Sequence, residues 1–135
     1  MRFWVLMAML LPLFFACDKK EQSDVAVPLT ASMRVEGDQV QLVLATAEMF
    51  PQTGYVIYHR ESSKGDKQCI NLKYVYQRSD VGLHVMSPAI ATIYATAEPE
   101  QKFQIKYKGK SADLVIRYDG VNYSIESDNT SFVQP

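Results

Sequence analysis

The segment from residue 25 to residue 35, VAVPLTASMRV, decides the fold class of this chain. Apolar residues occupy every second position of it, and the residues that share this face are Val25, Val27, Leu29, Ala31, Met33 and Val35. A two-residue period is typical of a β-strand with one face toward the core and the other toward solvent. Pro28 falls inside the run and cannot donate a ladder hydrogen bond. The pattern therefore predicts an edge strand or a strand in two pieces.

The same alternation recurs in short stretches that are separated by turn residues. Residues 36–38 form a turn signal after which apolar residues alternate again, so a hairpin is expected over 33–45. Asp119-Gly120 lies between two further alternating stretches and is the strongest hairpin signal of the chain. No segment after Ala16 sustains the 3.6-residue period of a helix.

Eight or nine short strands separated by turns predict an all-β domain, either a sandwich or a small barrel. We expect an immunoglobulin-like antiparallel β-sandwich of about eight strands over residues 25–135. One domain also fits the length, because a leader of 16 residues would leave 119 of the 135 residues, enough for one core.

The first twenty residues have a different character from the rest. Arg2 precedes an apolar run over residues 3–15, Ala16-Cys17 follows, and the chain becomes polar at 18–21. The apolar run is shorter than the roughly 20 residues that a membrane-spanning helix needs. With a small residue directly before the cysteine, this segment resembles a bacterial lipoprotein signal peptide.

The resemblance implies a signal peptide over residues 1–16, cleavage before Cys17 and acylation of Cys17. Two or more acyl chains hold a protein firmly on a membrane. Residues 17–24 would then form a lipidated tether between the membrane and the domain. We expect the protein in the bacterial cell envelope, anchored to the inner or outer membrane, with its domain in the periplasm or on the cell surface. Asp18 resembles an inner-membrane retention signal, whereas the charged stretch 18–21 can accompany surface display, so the leaflet stays open. An uncleaved anchor and a soluble secreted form are the alternatives.

Charge and cysteine content argue against several classes of function. Without Arg2, 13 of the 14 basic residues remain against 15 acidic ones, and no basic stripe occurs in the sequence, so we expect no nucleic-acid binding. Once Cys17 is lipidated, Cys69 is the one remaining thiol and cannot form a disulfide within the domain. We expect Cys69 to be buried as a small apolar residue, and a reactive thiol is the alternative.

The sequence carries no motif for a metal, a cofactor or catalysis. His59 is expected to be a solvated loop residue at a strand end, and His84 a half-exposed strand residue. Neither histidine has the spacing of a metal ligand, and neither a glycine-rich phosphate loop nor a Gly-x-Ser-x-Gly elbow occurs. We therefore expect a non-enzymatic protein with no metal and no cofactor.

One loop suggests a contact with another protein. Phe50-Pro51-Gln52-Thr53-Gly54-Tyr55 joins two predicted strands and resembles the Asn-Pro-Thr-Thr-Gly-Tyr loop of chagasin-like cysteine-protease inhibitors, which are immunoglobulin-like domains. It is also similar to a Pro-Thr-Gly-Gly-Tyr segment of bacterial lipoproteins that resemble a protease-complex subunit. In the inhibitors the loop enters the protease cleft, and Pro51, Thr53, Gly54 and Tyr55 match it. The other two binding loops of that family have no counterpart here, and ordinary turn chemistry is the alternative explanation.

We therefore expect a membrane-anchored lipoprotein whose β-sandwich binds an unidentified protein partner. The residues expected to make the contact are Pro51, Gln52, Thr53, Gly54 and Tyr55. An accessory subunit of an envelope complex fits this description, and the alternative is an inhibitor of papain-like cysteine proteases that acts through the 50–55 loop.

Overall fold

A computed structural model describes residues 22–78 and 82–135, and this part of the chain is all-β, as predicted. The predicted signal peptide, Cys17 and the tether up to residue 21 lie outside the described residues. The strands of the described part are β1 (Leu29–Glu36), β2 (Gln39–Phe50), β3 (Tyr55–Lys64), β4 (Lys67–Gln77), β5 (Ser87–Ala95), β6 (Glu100–Tyr107), β7 (Lys110–Tyr118), β8 (Tyr123–Ser127) and β9 (Val133–Gln134).

The described strands form one sheet with the order β8-β7-β6-β4-β3-β5-β2-β1-β9. The sheet curves so that β1 and β8, which lie at or near its opposite edges, contact each other. The sheet is therefore nearly closed. Most neighbours are antiparallel, but three pairs are parallel: β4 with β6, β3 with β5, and β1 with β9. Hydrogen bonding continues from β8 to β9 without a break between two layers, and the predicted immunoglobulin-like sandwich is not confirmed.

Both predicted hairpins are present. Strands β1 and β2 pair from Thr30 opposite Ala45 to Glu36 opposite Gln39. In the β7–β8 turn, the Asp119 carboxylate accepts hydrogen bonds from the backbone N–H groups of Val121 and Asn122, at 2.8 and 2.7 Å. These two hydrogen bonds lower the pKa of Asp119, because they stabilise its charged form.

The alternating run at 25–35 is divided at Pro28, as its sequence predicts. The Val27–Pro28 peptide is cis, and β1 begins only at Leu29. From there β1 pairs with β2 along its whole length, but with β9 only at Leu29 and Thr30. Most of β1 is therefore an open edge.

The core lies inside the curved sheet and draws on nearly every strand. Its largest fully buried side chains are Phe103, Phe132, Leu29, Leu42, Leu44, Ile57, Ile70, Ile93, Ile105, Leu114, Ile116 and Val75. Cys69 is buried as predicted, and its thiol donates a hydrogen bond to the Gln104 side-chain oxygen at 3.6 Å. The C-terminal segment belongs to this core through Phe132 and Val133.

The sequence alternation predicts Ile70, Leu72, Tyr74 and Tyr76 on one face of β4, and this is correct for the first two residues and wrong for the last two. Ile70 and Leu72 are buried, but a bulge at Lys73 shifts the register against β3. Beyond it, Val75 points into the core, and Tyr74 stacks on Tyr58 with ring centroids 5.1 Å apart. One extra residue in the bulge is enough to exchange the two faces of the strand.

The first described residues are bound to the ends of β4 and β6. Ser23 and Val75 exchange two backbone hydrogen bonds of 2.8 Å, and the buried N–H of Val25 donates to the Tyr107 hydroxyl at 3.0 Å. The Asp24 carboxylate lies 2.6 Å from the Lys108 ammonium, which donates a hydrogen bond and lowers the pKa of Asp24. This stabilising pair is present above the usual pKa of an aspartate and is lost as the pH falls through the lowered value.

Replacing Tyr107 with phenylalanine is expected to lower the free energy of unfolding by about 1–3 kcal/mol. The change removes the acceptor of a buried backbone N–H and adds no partner. Denaturant unfolding, followed by far-ultraviolet circular dichroism, measures the difference. Tyr118→Phe is the matched control, because the Tyr118 hydroxyl donates to Gly120 at an exposed site, and there we expect a change within about 0.5 kcal/mol. Equal losses in both variants would contradict a special role for Tyr107.

Within residues 22–78 and 82–135, no helix is long and apolar enough to cross a membrane.

Candidate functional site

The predicted contact loop, Pro51 to Tyr55, connects β2 to β3 at the end of the sheet where β4 finishes and β5 starts. We call this end of the sheet the loop end. Pro51 and Gly54 are exposed, and the other three residues are half-buried. Gly54 has a φ of 99°, in the region that favours glycine, so its place in the loop has a backbone reason.

The structure brings this loop together with the connection from β4 to β5. Thr53 and Leu83 exchange two hydrogen bonds: the Thr53 N–H donates to the Leu83 carbonyl at 3.0 Å, and the Leu83 N–H donates to the Thr53 hydroxyl at 2.9 Å. Gly54 accepts from the Arg78 N–H at 2.7 Å. The two connections therefore act as one unit, of which residues 79–81 lie outside the described residues.

Gly82 allows this close approach. A Cβ atom at this position would lie 2.4 Å from the Thr53 carbonyl oxygen and 3.0 Å from its hydroxyl. Since the nearest atom belongs to the backbone, a larger residue must push the two connections apart.

Aromatic stacking fixes the end of the loop. The Tyr55 ring stacks on the buried Phe50 ring, with centroids 4.3 Å apart and an angle of 16° between the planes. Tyr55 also packs against the core. Of the predicted contact residues, Tyr55 therefore presents only part of its ring to solvent.

Beside the loop, three apolar side chains point into solvent. Leu83, Val85 and Met86 are 72%, 56% and 59% exposed, and we call these three residues the apolar tip. A short strand is expected here from the sequence, but residues 82–86 form an irregular connection instead, so the alternating apolar residues do not reach the core. Clustered exposed apolar side chains are typical of contact surfaces.

A mainly apolar groove of about 540 Å³ adjoins the loop. It lies between β3 and β5, whose parallel pairing consists of the single position Val56 opposite Ile90. Its volume is in the usual range of binding clefts. The residues that line it are Thr53, Gly54, Tyr55, Val56, His59, Arg78, Ser87, Pro88, Ile90 and Thr92.

The two histidines occupy different surroundings from those expected. His59 lies within β3 and is half-buried on the groove wall, so its assignment to a solvated loop is wrong. Its Nδ1 is 3.3 Å from the Ile57 carbonyl, and its Nε2 is 3.7 Å from the Glu61 carboxylate. His84 is exposed in the irregular connection rather than half-exposed in a strand. In the described part of the chain, no group of three or more His, Cys, Asp or Glu residues could hold a metal ion.

No protein-family model matches the chain, and neither do any curated protein or solved structure. The apolar tip and the groove are the features that sequence reasoning missed. The run Leu83-His84-Val85-Met86 is the sequence signal for the apolar tip. A short alternating segment buries its apolar side chains only when it pairs with a neighbouring strand.

Proposed function

We propose that this protein is a lipid-anchored envelope protein whose β-domain binds another protein at the loop end and catalyses no reaction. The contact surface would consist of Pro51, Gln52, Thr53, Gly54, Tyr55 and the apolar tip. One observation carries the proposal: the side chains of the apolar tip are exposed, although hydrogen bonds between Thr53 and Leu83 hold the backbone there in place. Such a protein fits the role of an accessory subunit in an envelope complex.

The apolar tip has a clear energetic reason to be covered. Burial of one Val, Leu or Met side chain contributes about 1.5–3 kcal/mol relative to full exposure. The hydrogen bonds between Thr53 and Leu83 order the backbone before any partner arrives, which reduces the entropy lost on binding. In protein interfaces a few central anchor residues usually contribute most of the binding energy, and the surrounding contacts exclude water.

Anchoring through lipidated Cys17 is the second part of the proposal, and it places the domain in the cell envelope. Its support is the sequence of the first twenty residues, which lies outside the described structure. The immunoglobulin-like sandwich stays a prediction. The proposed contact does not depend on it, because loops at one end of the sheet carry the contact in either arrangement.

The test is site-specific photo-cross-linking of the full-length protein in its native membranes. A photo-reactive amino acid at position 83 should capture one dominant protein partner, whereas the same group at Val121 should capture little. Val121 is a matched control because it is 80% exposed and lies in the β7–β8 turn at the opposite end of the sheet. Equal yields from the two positions, or no product from position 83, would refute the proposed surface.

Substitutions check the same surface without a photo-reactive group. We expect Val85→Asp to reduce recovery of the partner at least tenfold, because an unpaired carboxylate would have to be desolvated in the interface. Val121→Asp introduces the same charge at the opposite end and should leave recovery unchanged. Co-purification of the partner with each variant measures the effect, and loss in both variants would point to a general charge effect instead.

Inhibition of papain-like cysteine proteases is the second candidate. The observation that favours it is the side-by-side arrangement of the 51–55 loop and the 82–86 connection at one end of the sheet. A true inhibitor should block papain in solution without any other protein. An accessory subunit should leave papain active and should co-purify with a large complex. Full-length protein added to papain, with residual peptidase activity as the readout, separates the two candidates.

A further inference from the structure

Four lysines border one shallow depression of about 410 Å³ beside the β6–β7 turn. We call Lys73, Lys106, Lys108 and Lys110 the lysine surface. The topology brings them together, because β4 and β6 run parallel with Asn71 opposite Lys106. Lys73 lies two residues after Asn71, and Lys108 lies two residues after Lys106, so the parallel strands place them on the same side. The β6–β7 turn then brings Lys110 opposite Tyr107.

Most of the charge on this surface is not neutralised. Lys108 is paired with Asp24 at 2.6 Å, but Lys73, Lys106 and Lys110 take part in no ion pair with any described residue. Other lysines of the domain do have partners: Lys67 pairs with Asp113 and Lys102 with Asp66. The chain as a whole carries a net charge of −1, so three unpaired ammonium groups at one place are a local excess.

The described chain begins directly beside the lysine surface. Ser23 is bound to Val75, Asp24 to Lys108 and Val25 to Tyr107, and these contacts hold the start of the domain at this place. Cys17 precedes Asp24 by seven residues. A fully extended chain covers at most about 3.6 Å per residue, so a tether of seven residues spans at most roughly 25 Å.

We propose that the lysine surface contacts the anionic lipid headgroups of the membrane that holds the lipidated Cys17. The inference rests on the lipid anchor of the proposed function. The acyl chains would hold the protein on the membrane, and the lysines would orient it, with the lysine surface toward the bilayer. Basic side chains near an anionic leaflet gain electrostatic attraction that falls off within a Debye length, so a short tether and a nearby basic surface act together.

The test uses the full-length protein, purified from bacterial membranes and reconstituted into vesicles. One set of vesicles contains phosphatidylglycerol and phosphatidylethanolamine, and the other contains only phosphatidylcholine. Limited acetylation of lysines, followed by peptide mass spectrometry, reports the accessibility of each ammonium group. We expect Lys73, Lys106 and Lys110 to react about fivefold more slowly on the anionic vesicles, and the difference to vanish in 1 M salt, where the Debye length is about 3 Å.

Lys64 is the internal control, because it is exposed in β3 at the end of the sheet opposite the loop end. Its reactivity should be equal on both kinds of vesicle. In Lys110→Glu the protection of Lys73 and Lys106 should fall by at least half, whereas Lys64→Glu changes the net charge equally and should leave it intact. Equal acetylation rates on the two kinds of vesicle would overturn the proposal. So would equal protection by inorganic phosphate on phosphatidylcholine vesicles, which would identify a small anion as the ligand.

The mass of the N-terminal peptide distinguishes a failure of the lipid anchor from a failure of the lysine surface. A lipidated Cys17 together with unprotected lysines would refute the lysine surface alone and leave the anchor in place. A Cys17 without lipid would refute the anchor in the proposed function and, with it, the inference that depends on it. Protected lysines on a lipidated protein would support both.

Discussion

Replacement of Phe132 with alanine is expected to lower the free energy of unfolding by about 3–5 kcal/mol. The Phe132 side chain is 1% exposed and is among the largest fully buried residues of the domain. Its backbone carbonyl accepts a hydrogen bond from the Leu29 N–H at 2.8 Å, directly before β9 pairs with β1. Because the sheet around the ring is hydrogen-bonded, it cannot collapse into the cavity that the substitution leaves. The loss is a large share of the 5–15 kcal/mol that typically stabilises a domain.

Denaturant unfolding of the full-length protein, followed by circular dichroism, measures this loss. Gln134→Ala is the control, since Gln134 lies two residues further along in β9 and is exposed. We expect a change within about 0.5 kcal/mol for that variant. A loss below about 1 kcal/mol for Phe132→Ala would mean that the C-terminal segment is not part of the folded core.

Replacement of Gly82 with alanine is expected to weaken partner binding at least tenfold, which corresponds to about 1.4 kcal/mol. The new Cβ atom would lie 2.4 Å from the Thr53 carbonyl oxygen, so the 82–86 connection must move away from the loop. Both hydrogen bonds between Thr53 and Leu83 depend on that approach. Without these hydrogen bonds the backbone of the apolar tip is no longer ordered in the free protein. Binding must then order it, and the lost conformational entropy weakens the affinity.

Cross-linking yield from position 83 measures the effect of Gly82→Ala, and unfolding in denaturant shows whether the domain is intact. Gly65→Ala is the matched control. Gly65 has a φ of 65° in the β3–β4 turn, at the opposite end, and an added Cβ atom meets nothing there within 4 Å. We expect that variant to lose about 1 kcal/mol of stability through backbone strain and to keep full binding. Full binding by Gly82→Ala would show that the contact does not need the ordered tip.

Much of the fold is legible in local patterns. The alternation at 25–35 predicts a strand that Pro28 interrupts, and β1 begins directly after that proline. Asp119-Gly120 predicts a hairpin, and the Asp119 carboxylate holds that turn through two backbone N–H groups. These features are predictable because a strand period and a turn depend on residues close in sequence.

The candidate site was only partly predictable. The 51–55 loop stands out through its turn residues, but its partner in the structure, the 82–86 connection, lies about thirty residues away. The pattern around Leu83 and Val85 resembles a strand, and only the absence of a pairing neighbour in the described sheet leaves these side chains in solvent. The lysine surface was missed for a similar reason, because Lys73 is far in sequence from the β6–β7 turn.

Local sequence patterns are enough to predict the all-β class, the positions of the two clearest hairpins and the burial of Cys69, since each follows from local period, turn chemistry or apolar character. The order of the strands, the exchange of faces in β4 at Lys73 and the contact of Thr53 with Leu83 are visible only in the folded chain. The physical reason is that these features depend on which distant strands pair and in which register. A shift of one residue in that register reverses every side chain beyond it.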